Sequence, residues 1–179
     1  MKKADKIQLL HDSIGTYNLC ECLFTYDVSD RYLYILDYSD NFLFGIEECD
    51  FLLDGFQIRK ISDLKKIETY SGLASKINEE NNLLADVKKQ KVDLSSWKTV
   101  FESLVVLNIF LIVENARTDN DEDFFHLGYV REIKDSYIIF SSVDADGVWY
   151  DNIKIPYSKI TNVAFNDRYS KTWQKYLSK

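Results

Sequence analysis

The chain has little of what interrupts, cross-links or anchors a polypeptide. One proline and six glycines among 179 residues leave no stretch that could serve as a long flexible linker. Only three cysteines are present. The start, Met1-Lys2-Lys3-Ala4-Asp5-Lys6-Ile7-Gln8-Leu9-Leu10-His11, is basic but has no apolar core of the kind a signal peptide needs. Reduced thiols and a cytoplasmic location are therefore expected. Long hydrophobic runs are missing as well. The most apolar stretch, Leu104 to Val113, is interrupted by Asn108 and falls well short of the roughly 18 residues of a membrane span. It reads as buried core, and no membrane partner is expected.

Signatures of catalysis are equally scarce. There is no G-x-S-x-G, P-loop, G-x-G-x-x-G or H-E-x-x-H pattern, and the two histidines, His11 and His126, stand far apart in sequence. The chain is read as not an enzyme, with a metal-dependent or hydrolytic activity as a minor alternative. Cys20-Glu21-Cys22 places two thiols on one face of a strand, and Cys49 and a histidine could complete a zinc site with them. Structural zinc, however, favours C-x₂₋₄-C spacing, so buried structural cysteines are the stronger reading. Asp144-Ala145-Asp146-Gly147 resembles the opening of a calcium loop but lacks the later Glu; a turn between strands accounts for it. No cofactor is expected.

What is abundant is aromatic and β-branched side chains. Aromatics make up 15% of the chain, twelve of them tyrosines, a bias that suits pleated, half-buried surfaces. A short helix is predicted over residues 4–14, stopped by Gly15. Strands are predicted at Asn18–Tyr26, Arg31–Tyr38, Phe42–Glu48, Phe51–Ile61 and Leu64–Thr69. Leu73, Ile77, Leu84 and Val87 then recur at helical spacing to about Lys91. A second helix is predicted from Ser95 as N-cap, with Asn108 ending it. Further strands follow at Ile109–Asn115, Phe124–Ile133, Tyr137–Val143, Val148–Tyr150 with Ile153–Pro156, and Ile160–Phe165. An acidic loop at 118–123 and a closing helix from about Asp167 complete the chain.

One pattern occurs twice. Ile61-Ser62-Asp63-Leu64-Lys65-Lys66-Ile67-Glu68 and Tyr157-Ser158-Lys159-Ile160-Thr161-Asn162-Val163-Ala164 each read as strand, Ser-led turn and strand. Phe42-Leu43-Phe44-Gly45 and Phe125-His126-Leu127-Gly128 form a second echo in a different register. Three parts are expected: an N-terminal β module over 1–70, a helical bridge over 71–108 whose second helix packs on the C-terminal module, and a C-terminal β module with its closing helix over 109–179.

Net charge is −7, which disfavours general attraction to nucleic acid. The charge is uneven, since residues 154–179 carry a balance of +5 and the remainder −12. The candidate binding surface is accordingly Arg168, Lys171 and Lys175 on the closing helix, interleaved with Tyr157, Phe165, Tyr169, Trp173 and Tyr176, with Arg59 and Lys60 as a lesser basic pair. Docking of the aromatic stripe into the core, with lysines on the solvated side, is the bland alternative.

The segments Trp97 to Leu104, Asp144 to Trp149, Ile155 to Thr161 and Arg168-Tyr169, with Gly55 to Leu64 in the amino half, resemble a group of uncharacterised proteins from Gram-positive bacteria, a likeness that spans most of the chain and transfers no activity. More distantly, the meander ending in strand, short turn and strand is similar to small Sm-like barrels, on strand order alone. The expected fold is mainly β (α+β): two small bent sheets or open Sm/SH3-like barrels in tandem, with bridging helices and a C-terminal helix. The expected function is a non-catalytic protein-interaction module, antitoxin- or immunity-like, with a protein partner. The alternative is an Sm-like nucleic-acid binder using the basic C-terminal patch.

Overall fold

The computed structural model describes residues 1–88, 90–117 and 123–177. Most of the expected acidic loop, residues 118–122, and Lys179 of the basic segment lie outside the described residues. The protein is mainly β, with ten strands and four α-helices among the described residues, and it divides into two compact units, Met1–Gln90 and Lys91–Lys179.

The N-terminal unit opens with α1 (Lys3–Ser13), whose first turn is fastened by the Lys2 N–H donating to Asp5. Gly15, at φ +70, turns the chain out of the helix. Five strands follow: β1 (Leu19–Phe24), β2 (Arg31–Tyr38), β3 (Phe42–Cys49), β4 (Leu52–Lys60) and β5 (Leu64–Thr69). Their order across the sheet is β5-β1-β2-β3-β4, antiparallel throughout. Alternation places Cys20, Cys22, Leu33 and Leu43 on the face that packs against Leu10 of α1. A short 3₁₀ turn, Ile61–Asp63, separates β4 from β5.

The C-terminal unit repeats this plan. Helix α3 (Trp97–Val105) precedes β6 (Leu111–Asn115), β7 (Phe124–Ile133), β8 (Tyr137–Val143), β9 (Ile153–Pro156) and β10 (Asn162–Phe165). The order is β10-β6-β7-β8-β9, again fifth, first, second, third, fourth. In neither unit does the fourth strand pair with the fifth, so neither closes on itself. Register shifts in β1–β5, β2–β3, β3–β4 and β7–β8 bend the ladders. Helix α4 (Arg168–Leu177) lays Trp173 and Leu177 on the sheet face built from Ile112, Leu127, Val143 and Ala164.

Both Ser-led turns join the fourth strand of a unit to its fifth, and both are tied to the end of the unit's first strand. Thr25, just past β1, donates its N–H to Asp63 O at 2.7 Å. Just past β6, the Ala116 N–H donates to Thr161 Oγ1 at 3.0 Å and Arg117 donates to Ser158 O at 3.1 Å. The helix that opens each unit also meets its turn: Lys6 donates to Leu64 O, and Phe101 stacks on Tyr157 at 6.0 Å. Leu64, Ile67, Ile160 and Val163 are all buried.

The second echo does not mark equivalent places. Gly45 lies in the third strand of its unit and Gly128 in the second strand of the other. What they share is a close backbone approach: a Cβ would stand 3.0 Å from Tyr34 O at Gly45 and 1.9 Å from Ser141 O at Gly128.

Several boundaries move for physical reasons. The helix expected to run to Lys91 is α2 (Leu73–Glu80) only; Asn82 takes φ +57, and Leu73 is 71% exposed, so too little of its face is covered to propagate a longer helix. The N-cap of α3 is Ser96 rather than Ser95, its hydroxyl accepting the Thr99 N–H. Asn108 ends that region at φ +49, as expected. Of Val148–Tyr150, only Trp149 makes a bridge, to Val143.

Candidate interaction surfaces

The antiparallel pairing of β1 brings an acidic, tyrosine-rich face together in the N-terminal unit. Glu21 stands directly opposite Tyr32 on β2 and opposite Glu68 on β5. Like charges in that relation repel. Burial, then Asp30 and Glu68, push the Glu21 carboxyl above its ordinary range, with Lys66 acting weakly against them. Lys66 is held by Glu68 at 2.6 Å. Tyr70 meets Tyr32 edge-on at 5.2 Å between ring centroids, and burial with Glu21, Tyr70, Asp30 and Glu48 raises the Tyr32 phenol. Beside this row, an open cavity of about 330 Å³ is walled by Tyr32, Glu48, Asp50 and Phe51. Asp50 and Phe51 form the β3–β4 hairpin tip at φ +52 and +64, left-handed for two successive non-glycine residues. Glu48 accepts the Phe51 N–H at 2.7 Å. Residues i of one strand and j of another meet only once register is set, so no spacing in the sequence marks this face.

The basic residues expected at a binding surface separate into two kinds. Arg168, Lys171 and Lys175 are exposed on α4, as are Tyr169 and Tyr176, at 48% and 62%. Phe125 of β7, 52% exposed, meets Tyr169 edge-on at 5.9 Å, and Tyr169 meets Trp173 at 6.2 Å. The Asp167 carboxylate accepts the Ser170 N–H and hydroxyl and so starts the helix. Trp173 turns inward while Tyr169 and Tyr176 stay out, so the aromatic stripe is only partly docked.

Arg59 is not at the surface, contrary to its place in the expected binding set. Its guanidinium is buried, pairs with Asp27 at 2.9 Å, receives the Phe24 ring 4.4 Å below it and donates Nε–H to Gln57 at 2.9 Å. Gln57 in turn donates to Glu47, which pairs with Arg31 at 3.2 Å. With its side chain 5% exposed and held in this network, Arg59 is out of reach of an outside phosphate. Lys60 is half-buried.

The cysteine, histidine and aspartate candidates divide between the two units. Cys20 and Cys22 are buried in the α1-facing core, and burial raises both thiols; Cys20 donates to the Ser13 hydroxyl at 3.2 Å. Cys49 is exposed. His126 stacks on Phe124 at 4.9 Å with Ser142 Oγ 3.4 Å from Nδ1. Ser142 is 2% exposed, out of reach of a substrate, and burial lowers the imidazole. Asp144 accepts the N–H groups of Asp146 and Val148 at 2.9 and 2.8 Å, the geometry of a tight turn. Among the described residues no group of three or more His, Cys, Asp or Glu is placed to hold a metal ion, and no helix is long and apolar enough to cross a membrane.

No protein-family model, curated protein or solved structure matches the chain.

Proposed function

We propose that the protein is a non-catalytic interaction module whose N-terminal acidic face receives a cationic segment of a protein partner. The observation that carries this reading is the Glu21–Glu68 cross-strand pair, with Asp30 and Glu48 near Tyr32. Repulsion of this kind is a standing cost in the free protein. A lysine or arginine docked among the carboxylates would relieve it, while Tyr32 and Tyr70 supply apolar and cation–π contact. An antitoxin- or immunity-like role, in which an acidic surface neutralises a basic partner, fits this chemistry. The shared strand order, the helix before each first strand and the Ser-led turn before each fifth strand support reading the units as Sm-like modules in tandem, a likeness of scaffold that does not itself assign an activity.

A second reading rests on α4, where Arg168, Lys171 and Lys175 alternate with the exposed rings of Tyr169 and Tyr176. Cations beside sequence-tolerant stacking surfaces suit single-stranded nucleic acid.

One titration separates the two. An oligoarginine peptide is expected to bind the wild type with steep salt dependence, and the double reversal Glu21→Lys, Glu48→Lys should weaken it by about tenfold or more. A single-stranded RNA that binds at low salt and is lost on Lys171→Glu would support the second reading instead. Peptide binding indifferent to both reversals would overturn the first.

A further inference from the structure

The C-terminal unit contains a second cavity, of about 370 Å³, where the end of α3 meets β6, β7 and the last turn of α4. We propose that it binds an aliphatic carboxylate, a straight apolar chain ending in a single negative charge. The site lies in the other unit from the acidic face and does not depend on the reading of that face.

Three observations point to this ligand. The first is the wall. Leu104, Ile109, Leu111 and Leu177 line the cavity, and its volume is within the range of small-molecule sites, roughly 300–1,000 Å³. Val105 also lines it, and the next two residues in the chain, Val106 and Leu107, are exposed too, the three at 44%, 77% and 36%.

The second is the charge. Arg131 lines the cavity, and among the described residues no carboxylate does. Its guanidinium lies 5.8 Å from the Tyr129 ring centroid, and that ring is stacked within 11° of Trp149. Among the described residues Arg131 makes no ion pair; the neighbouring Glu132 is engaged by Lys134 at 2.7 Å. A planar cation at the edge of a cavity that carries aliphatic side chains together with Asn108 and Tyr129 suits a carboxylate, which it can hold through two parallel hydrogen bonds. An ammonium head at the same place would be repelled.

The third is that the cavity is already formed. Gln174 of α4 accepts the Phe110 N–H at 3.2 Å and donates to Asn108 O at 3.0 Å. One side chain thereby fixes α4 against the α3–β6 junction on both sides of Ile109. Little ordering remains to be done on binding.

Decanoate serves as the probe, in isothermal titration calorimetry with the whole chain. Saturable binding at one site is expected, roughly tenfold or more weaker in Arg131→Gln, with decylammonium failing to compete. Val105→Trp, which fills the rim from an exposed position, should abolish binding while leaving the circular dichroism spectrum unchanged. Absence of saturable decanoate binding below its micelle concentration overturns the proposal. So does equal affinity in Arg131→Gln, or equal binding of decylammonium.

Discussion

Arg59 illustrates how burial changes what a charged residue is for. Its guanidinium meets Asp27, Gln57 and the Phe24 ring at once, with 5% of either charged side chain of the pair left exposed. Such a pair adds little relative to a well-packed apolar replacement, but removing one member strands the other in a dry site. Arg59→Ala is therefore expected to lower unfolding stability by about 3–5 kcal/mol, measured by urea denaturation. Arg59→Lys should recover only part of the loss, because an ammonium cannot serve the carboxylate, the amide and the ring together. In the sequence, Arg59-Lys60 reads as an exposed basic pair because the partner, Asp27, lies 32 positions away in a loop. Nothing in the spacing shows that contact. Cys20 and Cys22 were legible for the opposite reason: their period-2 spacing and apolar surroundings already place them in a core.

At the scale of elements, strands bounded by Asp-rich turns were the easiest to read. The bounds expected for β2, β5, β7 and β8 are those found, since each combines alternation with polar residues at its ends. Helices were harder where tertiary cover was lacking, as in the segment after Glu80. The closest backbone approach, Gly128 against Ser141 O, has no signature beyond the glycine itself. A methyl group there would stand 1.9 Å from a strand carbonyl, so β7 and β8 would have to separate locally. Gly128→Ala is expected to cost about 1–3 kcal/mol, with the loss visible in thermal melts and in faster amide exchange along β7–β8. Gly147 is a different case: a Cβ there would find ordinary contacts at 3.5 and 3.7 Å, from Leu177 and Trp173, and only its φ of +79 resists substitution.

Taken as a whole, the molecule carries its acidity unevenly. Residues 1–90 have sixteen acidic against eleven basic side chains, and residues 91–179 thirteen against eleven. Burial raises both Glu21 and Glu47, opposed at Glu47 by Arg31. A carboxyl raised on folding binds its proton more tightly in the native state, so its contribution to stability falls as pH rises through the raised range. Glu21→Gln should accordingly melt higher than the wild type at neutral pH. The difference should close as pH falls below the ordinary value of 4.5, a trend that differential scanning calorimetry would read directly. A constant offset at all pH values would place the effect in packing rather than charge. The two Ser-led turns join corresponding strands of the two units, each a local corner with buried residues at fixed offsets. The residues of the acidic face were not legible in the sequence, since strand register alone assembles it.

Cys49 lines the same cavity as Glu48 and Phe51 and is the exposed one of the three thiols. The two others are withdrawn into the core with raised thiols. The protein thus carries a built-in attachment point: a maleimide dye added to the folded, unsubstituted chain would go to a single position, beside the acidic face. Its emission would report the arrival of a cationic partner in real time.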